Sequence, residues 1–415
     1  MRVLHIGKFF PPHAGGIERF SADLCAALAA RGVDVAMLAH ASPADRKAQR
    51  FRTDNVEVQL AACHGQWLYA PVSPSFPFLL ARMLREFRPD LLHLHVPNTS
   101  AFWTLLSPAA RRLPWLVQWQ ADVPLDVRRP AVRAMYSFYR PFEQALLKRA
   151  SVVVAASPPY RDTSAALAPW PAKTVVVPLG IGDSRPTATP PEKVEIVAKN
   201  TFAQTQAWPN RGLRLLAVGR LSYYKGFDVL LRALAQTPEA NLLLIGSGEC
   251  EARLRSLACE LNIEDRVRFA GHVDDAQLAF AYAQAQAFCL PSIERTEAFG
   301  VVLLEAMRAR LPTIATAIPG SGVGHVVVDG ITGTLVAPGD VEALAAAIRD
   351  FADDAAKRER FGDAGHARWQ SEFRLDRCAD RVLELYRSLL PSSAHRAAAA
   401  PAPSSTQARA GARDD

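Results

Sequence analysis

The sequence predicts an α/β protein built from two doubly wound domains, and three observations support this. The chain has 415 residues, more than one ordinary hydrophobic core encloses. Short apolar runs with the composition of β-strands alternate with stretches of helical period, as in parallel sheets assembled from βαβ units. The alternation starts again after residue 212, as two such domains in tandem require.

The first series of strands and helices predicts a domain over residues 1–182. Its predicted strands are Val3–Gly7, Asp34–Ala39, Leu91–Val96, Trp115–Ala121, Ser151–Ser157 and Thr174–Leu179. Helical periodicity falls between them, for instance in Glu18–Arg31 and Pro130–Arg149. Continuous apolar runs of this kind are typical of strands that are buried on both faces.

The second series predicts a domain over residues 212–390. Its predicted strands are Leu213–Gly219, Asn241–Gly246, Arg266–Ala270, Ala287–Pro291 and Thr313–Ala317, and its predicted helices are Lys225–Ala235, Glu249–Leu261, Asp274–Ala283 and Phe299–Arg308. We expect the last helix of this domain to return to the first domain. The polar, aperiodic stretch 183–211 predicts a linker or inserted loop, and the Ala/Pro/Ser-rich stretch 391–415 predicts a disordered tail.

The composition is that of a soluble globular protein, with 49% hydrophobic and 21% charged residues. No apolar run approaches the ~20 residues that span a bilayer. The N-terminus enters a strand pattern at once and lacks the zones of a signal peptide. We therefore expect a cytoplasmic protein.

Positive charge is concentrated in the first half of the chain. Residues 1–190 contain 22 Lys/Arg against 13 Asp/Glu, a surplus of 9, whereas the remainder contains 26 against 28. A surplus of this kind indicates an anionic partner. The chain lacks the usual aromatic and basic motifs of nucleic-acid binding, so an anionic lipid surface or a phosphate-bearing acceptor is the better expectation.

Two segments that follow strands have the chemistry to bind phosphate. Gly15-Gly16 precedes a predicted helix, where unobstructed backbone N–H groups could cradle a phosphate, although the pair could also form only a tight turn. Arg220 and Lys225 lie five positions apart after the first strand of the second domain. Both cations could converge on one diphosphate, and the alternative is an exposed charged turn.

A third segment carries two carboxylates on either side of a helix start. Glu297 precedes the predicted helix and Glu305 lies inside its apolar stretch. A carboxylate in that position needs a partner, because unpaired burial costs several kcal/mol. Sugar hydroxyls are suitable donors, and the backbone amides of Phe299-Gly300-Val301 could take a phosphate. The alternative is that Glu297 caps the helix and Glu305 lies on its rim.

A fourth segment is a strand that ends on polar groups, Trp119-Gln120-Ala121-Asp122. We expect Gln120 and Asp122 to point into a cleft between the domains, because open α/β sheets bind ligands outside the carboxyl ends of their strands. Asp122 could instead cap the segment that follows it. His95, at the end of the preceding predicted strand, is either a further candidate or a histidine whose hydrogen bonds are satisfied within the strand end.

At these residues the chain resembles the family-4 retaining glycosyltransferases, which have the GT-B architecture of two Rossmann-like domains facing a central cleft. The resemblance covers about residues 1–390. It rests on the E-x7-E spacing of Glu297 and Glu305, the G-R-L-x-x-x-K-G run at Arg220 and Lys225, the early Gly15-Gly16 loop, and Pro178-Leu179-Gly180-Ile181. Together these motifs are specific, whereas E-x7-E alone is only moderately so.

The resemblance implies a role for each matching residue. The residues implied to hold the donor diphosphate are Gly15, Gly16, Arg220 and Lys225. Glu297 would bind hydroxyls of the donor sugar and Glu305 the nucleotide ribose, while the loop with His272 and Val273 would lie along the base. The family typically needs no metal, and we expect neither a metal nor a cofactor here.

The chain departs from the family at one position. The family commonly has W-H-S-D where this chain has Trp119-Gln120-Ala121-Asp122. Gln120 can exchange hydrogen bonds with a sugar, but it cannot take a proton. A mechanism in which the acceptor's proton passes to the departing phosphate tolerates Gln120, with Arg220 and Lys225 stabilising the leaving group.

The segment Ile318–Val323 resembles bacterial mannosyl- and rhamnosyltransferases of surface polysaccharide assembly. We therefore favour GDP-mannose as donor and a glycan or a polyprenyl-diphosphate-linked acceptor. Rival interpretations are a GT-B synthase that acts on a small soluble sugar, and a GT-B scaffold that binds nucleotide sugar or glycan without turnover.

Basic and aromatic residues are interleaved in the segment Arg128–Arg149, which includes Arg129, Arg133 and Phe138. The pattern predicts peripheral contact with the inner face of an anionic membrane. The alternative is that the aromatic side chains pack into the domain core while the arginines are solvated.

Overall fold

The first domain is centred on an eight-stranded sheet. A computed structural model describes residues 1–11, 15–43, 46–67, 70–123, 130–183, 208 and 212–390. The strands of this domain are β1 (Arg2–Phe9), β2 (Asp34–His40), β3 (Gln49–Thr53), β4 (Val56–Ala61), β5 (Gln66–Trp67), β6 (Ala70–Pro71), β7 (Leu91–Val96), β8 (Trp115–Trp119), β9 (Val152–Ala155) and β10 (Thr174–Val176). The sheet order is β10-β9-β8-β7-β1-β2-β4-β3, and β5 pairs with β6 in a separate ribbon. Neighbouring strands are parallel, except that β3 is antiparallel to β4.

Helices cover both faces of this sheet. They are α1 (Gly16–Ala30), α2 (Phe76–Glu86), α3 (Trp103–Leu106), α4 (Pro108–Arg111), α5 (Pro130–Arg149) and α6 (Pro158–Thr163), with 3₁₀ turns at Thr99–Phe102 and Pro171–Lys173. Val3 and Leu116 belong to the core on one face, while Leu4 and Val117 belong to the core on the other. Burial on both faces explains why these strands read as continuous apolar runs.

The second domain contains a six-stranded, wholly parallel sheet. Its strands are β11 (Leu213–Val218), β12 (Ala240–Ile245), β13 (Val267–Gly271), β14 (Ala287–Leu290), β15 (Thr313–Thr316) and β16 (Gly333–Val336), in the order β13-β12-β11-β14-β15-β16. The helices are α7 (Phe227–Ala235), α8 (Glu251–Glu260), α9 (Asp275–Gln284), α10 (Val301–Arg308), α11 (Val323–Val326), α12 (Val341–Asp353), α13 (Ala355–Glu372) and α14 (Leu375–Leu389). A 3₁₀ turn covers Tyr223–Lys225.

The predicted fold class is confirmed, since both sheets are parallel apart from the edge strand β3 and helices connect most of their strands. Each of the eleven predicted strands is present, with ends displaced by up to three residues. Strands β3, β4, β5, β6 and β16 were not predicted; β3 was missed because its sequence is polar and its central residues are exposed at the sheet edge. Of the predicted linker 183–211 the structure describes only Asp183 and Trp208, and the predicted tail 391–415 lies outside the described residues.

The chain crosses from the second domain back to the first at the start of α14. The Ile181 N–H donates to the Phe373 carbonyl, and the Leu375 N–H donates to the Ile181 carbonyl, each at 3.0 Å. Gly180 is required here, because a Cβ at that position would lie 2.6 Å from the Arg374 carbonyl oxygen. The backbones can approach this closely only where one residue has no side chain.

Helix α14 then packs on the first domain. Arg31, at the end of α1, forms ion pairs with Asp376 at 2.9 Å and Asp380 at 2.6 Å. The Tyr386 ring is fully buried and lies edge-on to His93 of β7. Within the described residues, no helix is long and apolar enough to cross a bilayer.

Candidate active site

The centre of the candidate site is a buried ion pair at the carboxyl edge of the second sheet. Lys225 follows β11 and Glu297 follows β14, and Nζ lies 2.6 Å from Oε2. The side chains are only 9% and 10% exposed. The two strands are neighbours in the sheet, so their carboxyl ends bring together residues 72 positions apart. The sequence placed both residues at the site, but their direct contact with each other was not predicted.

Burial and charge act on Lys225 in opposite directions. Burial by itself lowers the pKa of Lys225, while the charge of Glu297 raises it and prevails, so that the pKa of Lys225 is raised. Lys225 therefore remains a cation inside the protein. A buried cation is suited to stabilising a leaving diphosphate, because a charge in a poorly solvated site acts more strongly than one in water.

Glu297 is held in place by further hydrogen bonds. The Ser292 hydroxyl donates to Oε2 at 2.9 Å, and the Ser321 hydroxyl donates to the Glu297 carbonyl oxygen. Lys225 and Ser292 both contact Oε2. In the described part of the chain, Oε1 is therefore the carboxylate oxygen that a ligand hydroxyl could reach.

The turn after Lys225 depends on a glycine. Gly226 has φ +65°, and a Cβ there would lie 2.1 Å from the Pro291 carbonyl oxygen. This close approach joins the loop after β11 to the loop after β14. A larger residue at position 226 would separate Lys225 from Glu297, which accounts for glycine after the lysine.

Helix α10 starts two residues later than predicted. Gly300 has φ +80° in the left-handed region, so the helix begins at Val301 rather than Phe299. The Phe299 side chain is 2% exposed and packs edge-on to Phe373 at a centroid distance of 6.0 Å. Of the three residues proposed to take phosphate, Phe299 can thus contribute its backbone but not its ring.

Glu305 has a partner within the protein. The Tyr282 hydroxyl, on α9, donates to Glu305 Oε2 at 2.8 Å. The expectation that a carboxylate inside this apolar helix needs a partner is therefore met by a tyrosine. The implied contact of Glu305 with a ribose stays a prediction.

Arg220 is not part of the buried ion pair between Lys225 and Glu297. Its side chain is 62% exposed and lies 3.4 Å from Glu249. The Arg220 charge contributes to lowering the pKa of Lys8, where burial is the larger cause and the charge of Glu18 opposes it. Arg220 thus lies near a lysine of the first domain across the cleft.

Lys8 and Glu18 were missed as site residues, although both lie in the Gly-rich segment that the sequence singled out. Burial raises the pKa of Glu18. A Cβ on Gly15 would lie 2.0 Å from Glu18 Oε2, so Gly15 leaves room for this carboxylate. At Gly16, which begins α1, an added Cβ would have no atom of the described residues within 4 Å, as an open backbone site for a ligand requires.

Gln120 directly follows β8 and is only 5% exposed, so that little of its side chain is open to the cleft. Its Nε2 lies 3.3 Å from His95 Nδ1, and His95 also contacts the Ser21 hydroxyl at 3.1 Å. His95 therefore has its hydrogen bonds satisfied within the protein, in agreement with the second of its two interpretations. Burial lowers the pKa of His95 to about 3.

Asp122 forms a contact between the domains. Arg295, two residues before Glu297, forms a salt bridge with Asp122. Arg295 also lies 4.0 Å from the centroid of the Tyr160 ring and donates to the Gly320 carbonyl at 3.0 Å. The expectation that Asp122 points freely into the cleft is corrected by this bridge. Arg295 was missed because its partner is 173 positions away.

A second contact joins the domains beside α1. Arg19 lies 3.2 Å from Asp275, at the start of α9. His272 and Val273 form the loop just before α9; His272 is exposed, and the Gly271 carbonyl accepts from the Gly246 N–H at 2.8 Å. This loop lies at the carboxyl edge of the second sheet, and its implied contact with a base is untested.

Two doubly wound domains with polar residues at their carboxyl edges are the architecture of the GT-B glycosyltransferases. A family model described as "Glycosyl transferases group 1" matches residues 198–368, and one described as "Glycosyl transferase 4-like domain" matches residues 15–180. The chain belongs to the group 1, family-4 glycosyltransferases with the GT-B fold. It is thus a glycosyltransferase of polysaccharide or glycan synthesis.

Similar proteins agree with this assignment. The chain is 26% identical to O-antigen chain mannosyltransferase C of Escherichia coli, covering 94% of this chain and 100% of that one. It is 29% identical to D-rhamnosyltransferase WbpZ of Pseudomonas aeruginosa, covering 90% and 92%. Among solved structures, sucrose-phosphate synthase from Thermosynechococcus elongatus matches with a TM-score of 0.74 and 26% identity over 94% of this chain and 99% of that one.

Proposed function

We propose that this protein is a retaining hexosyltransferase of surface polysaccharide synthesis. It takes a sugar from a nucleotide diphosphate donor, with GDP-mannose favoured, and transfers it to a glycan or a polyprenyl-diphosphate-linked acceptor. The choice of mannose is supported by the similarity to a chain that is named an O-antigen mannosyltransferase and that this sequence matches over its whole length.

The observation that carries the proposal is the buried pair of Lys225 and Glu297. A scaffold that only binds a glycan has no need of a buried cation, whose desolvation costs several kcal/mol. A transferase does, because negative charge grows on the leaving diphosphate toward the transition state. Arg220, exposed at the same edge, supplies a second cation that can move from Glu249 to the ligand.

The transfer step needs no protein base. The bond from sugar C1 to the phosphate oxygen breaks, and the acceptor oxygen forms its bond to C1 on the same face. The acceptor's proton passes to the departing phosphate oxygen. This route assigns Lys225 and Arg220 to the leaving group and Glu297 to the donor sugar, and leaves Gln120 as a hydrogen-bonding residue without a proton to transfer.

The donor and the stereochemistry can be tested without knowing the acceptor. Thermal shift with GDP-mannose, UDP-glucose and ADP-glucose should show the largest stabilisation with GDP-mannose; a ligand at 100 times its dissociation constant adds about 2.7 kcal/mol. Slow hydrolysis of GDP-α-mannose, with water as acceptor, should release α-mannose first, as read by NMR. Release of β-mannose would contradict retention, and failure to consume any donor would favour the non-catalytic scaffold.

The expected membrane contact concerns helix α5 of the first domain. Phe138 and Phe142 are 73% and 53% exposed, while Arg133 and Arg140 are also exposed. Helical periodicity puts the phenylalanines on one flank of the exposed side and the arginines on the other. Tyr136 is half-buried and donates to Glu143 at 2.9 Å. The aromatic residues are thus divided between core and surface; Arg128 and Arg129 lie outside the described residues.

The exposed apolar area extends beyond α5. The Phe102 ring stacks on Phe142 at a centroid distance of 5.6 Å, and the adjoining α3 exposes Trp103 by 41% and Leu106 by 70%. Exposed aromatic and basic side chains together are typical of a helix that lies at an anionic membrane surface. They support a lipid-linked acceptor over a soluble one.

Vesicle sedimentation tests this contact. The protein should co-sediment with vesicles that contain anionic lipid and detach as salt is raised, because the Debye length shortens to about 3 Å at 1 M. Phe138→Ser with Phe142→Ser should weaken binding, and Arg133→Gln with Arg140→Gln should reduce its salt dependence. Ile331→Ser, at an exposed apolar residue of the second domain, is the matched control. Equal binding to neutral and anionic vesicles, or no binding to either kind, would favour a soluble acceptor instead.

A further inference from the structure

A row of polar side chains lies inside the first domain, on one face of its sheet. His5 of β1 pairs in register with His93 of β7, and His95 pairs with Gln118 of β8. Because side chains alternate along a strand, these residues share a face with Gln120. All five are at most 5% exposed. Polar groups at this depth require hydrogen bonds.

The contacts form one continuous chain from Gln120 to helix α14. Gln120 Nε2 lies 3.3 Å from His95 Nδ1, and His95 Nε2 lies 3.0 Å from His5 Nδ1. His5 Nε2 lies 3.2 Å from the Tyr386 hydroxyl, which lies 2.5 Å from His93 Nδ1. The chain therefore links the end of β8 to the helix that returns from the second domain.

The direction of the hydrogen bonds follows from the Gln120 amide at one end. Burial lowers the pKa of all three histidines, so each ring is neutral and has one donor and one acceptor nitrogen. With its nitrogen toward His95, the Gln120 amide can only donate. Each ring then accepts at Nδ1 and carries its proton at Nε2, and Tyr386 accepts from His5 and donates to His93.

The surroundings of the hydrogen-bond chain allow this direction. Ser21 Oγ lies 3.1 Å from His95 Nδ1 and 2.8 Å from the Ile17 carbonyl oxygen, so its one proton can be shared between these two acceptors. In the opposite direction, a proton on His95 Nδ1 would face the Gln120 amide protons. At the other end, His93 Nε2 and Gln118 Oε1 are both buried and neither has a hydrogen-bond partner within the described residues; burial is the main cause of the lowered pKa of His93, and the Gln118 side chain opposes it.

Metal binding is the competing use of three buried histidines. Their nitrogens all lie within 4.8 Å of one another. However, the His93 and His95 rings are stacked at 4.4 Å with an interplanar angle of only 9°. A metal is bound in the plane of an imidazole at about 2.0–2.1 Å, and two parallel planes cannot contain the same ion. The geometry favours the hydrogen-bond chain.

We propose that this hydrogen-bond chain fixes the amide of Gln120. Its nitrogen is held toward His95 and its carbonyl oxygen toward the bound sugar. Gln120 then accepts a hydrogen bond from a sugar hydroxyl, and His95, His5 and Tyr386 are positioning residues that act through it. The contact with sugar rests on the proposed transfer function, whereas the hydrogen-bond chain does not. Because Tyr386 belongs to α14, the amide is oriented only when that helix is seated on the first domain.

The hydrogen-bond chain itself is tested by NMR of the full-length protein labelled with ¹⁵N-histidine. His5, His93 and His95 should all be in the Nε2–H tautomer. In Gln120→Glu the new carboxylate can only accept, so His95 and His5 should change to Nδ1–H. Tyr386→Phe cuts the hydrogen-bond chain between His5 and His93, so all three histidines should lose their single fixed tautomer, and the Gln120 amide its single orientation. A wild-type His95 with its proton on Nδ1 would overturn the proposal, and so would one zinc ion per protein molecule in elemental analysis.

The positioning role is tested by kinetics on the same variants. Tyr386→Phe should lower kcat about threefold to tenfold with GDP affinity unchanged, and His95→Gln should do the same. The matched control is His366→Gln, which removes a histidine bonded to the Arg308 carbonyl at 3.0 Å in the second domain and should change neither. An unchanged kcat in Tyr386→Phe, despite altered tautomers, would refute the positioning role. An inactive wild-type enzyme with the expected tautomers would instead contradict the transfer function.

Discussion

The carboxyl edges of the two sheets carry polar groups of different kinds. In the second domain, the buried groups are charged, with Lys225 against Glu297. In the first domain they are neutral, with His95 bonded to Gln120 and the lowered pKa of the histidine excluding a charge. The two regions are buried to a similar degree, so burial alone does not explain the difference.

The difference reflects what each edge would bind. A diphosphate is an anion, and a buried cation with one fixed partner is preorganised to stabilise it. A sugar hydroxyl is neutral and both donates and accepts, so its binding depends on the orientation of hydrogen-bonding groups more than on charge. The comparison thus assigns charge stabilisation to the second domain and hydroxyl orientation to the first.

The largest effect should follow from breaking the buried pair. Glu297→Gln should lower transfer by at least tenfold to a hundredfold, because a charged hydrogen bond to a sugar hydroxyl contributes roughly 1.5–3 kcal/mol. It should also destabilise the fold by about 3–5 kcal/mol, because Lys225 stays buried without its partner. Donor consumption and thermal unfolding measure the two effects.

The double variant Lys225→Met with Glu297→Gln separates these effects. Removing both charges should recover much of the stability, since an apolar residue can replace a buried ion. Transfer should stay as low as in the single variant or fall further. Near-wild-type turnover in Glu297→Gln would show that this carboxylate only supports the structure.

A smaller effect is expected at the bridge between the domains. Asp122→Asn should lower the free energy of unfolding by roughly 1.5–3 kcal/mol, because Arg295 loses a charged partner in a half-buried site. The matched control is Asp363→Asn, whose ion pair with Arg310 is more than half exposed and should contribute at most about 1 kcal/mol. Equal losses of stability from both substitutions, in a melting experiment, would show that the bridge between the domains contributes no more than an exposed ion pair.

A more gradual effect is a dependence of stability on pH, which is small for each pH unit. The folded pKa of His95 is lowered from 6.5 to about 3, so below pH 6.5 the unfolded chain takes up a proton that the folded chain refuses. Stability should fall as pH falls through this window, by about 1.4 kcal/mol per pH unit for each such histidine. His95→Gln should flatten the slope measured by denaturant unfolding, and an unchanged slope would contradict this assignment.

Much of the fold was predictable because apolar periodicity is a local signal. Strand β7, for example, has the predicted bounds Leu91–Val96. The exceptions also have local causes. Strand β3 is polar because it lies at the sheet edge, and α7 and α10 begin late because Gly226 and Gly300 adopt left-handed conformations.

The site was predictable in its residues more than in their contacts. Glu305 was expected to need a partner, but nothing in the sequence identifies Tyr282, since the pairing depends on how α9 and α10 pack. Arg295 stands within the segment that was singled out, yet its partner belongs to the other domain. The alternation of His93 and His95 in a buried strand was the available sign of the polar row, and it was not used.

Calorimetric titration of GDP tests the division between the two edges most directly. Arg220 is exposed, so Arg220→Ala should leave the fold intact and weaken GDP binding by about tenfold or more, the loss expected for a charged hydrogen bond. Gln120→Ala should leave the affinity for GDP within twofold of wild type while lowering the rate of transfer. Equal losses of GDP affinity in the two variants, or a loss confined to Gln120→Ala, would contradict the account.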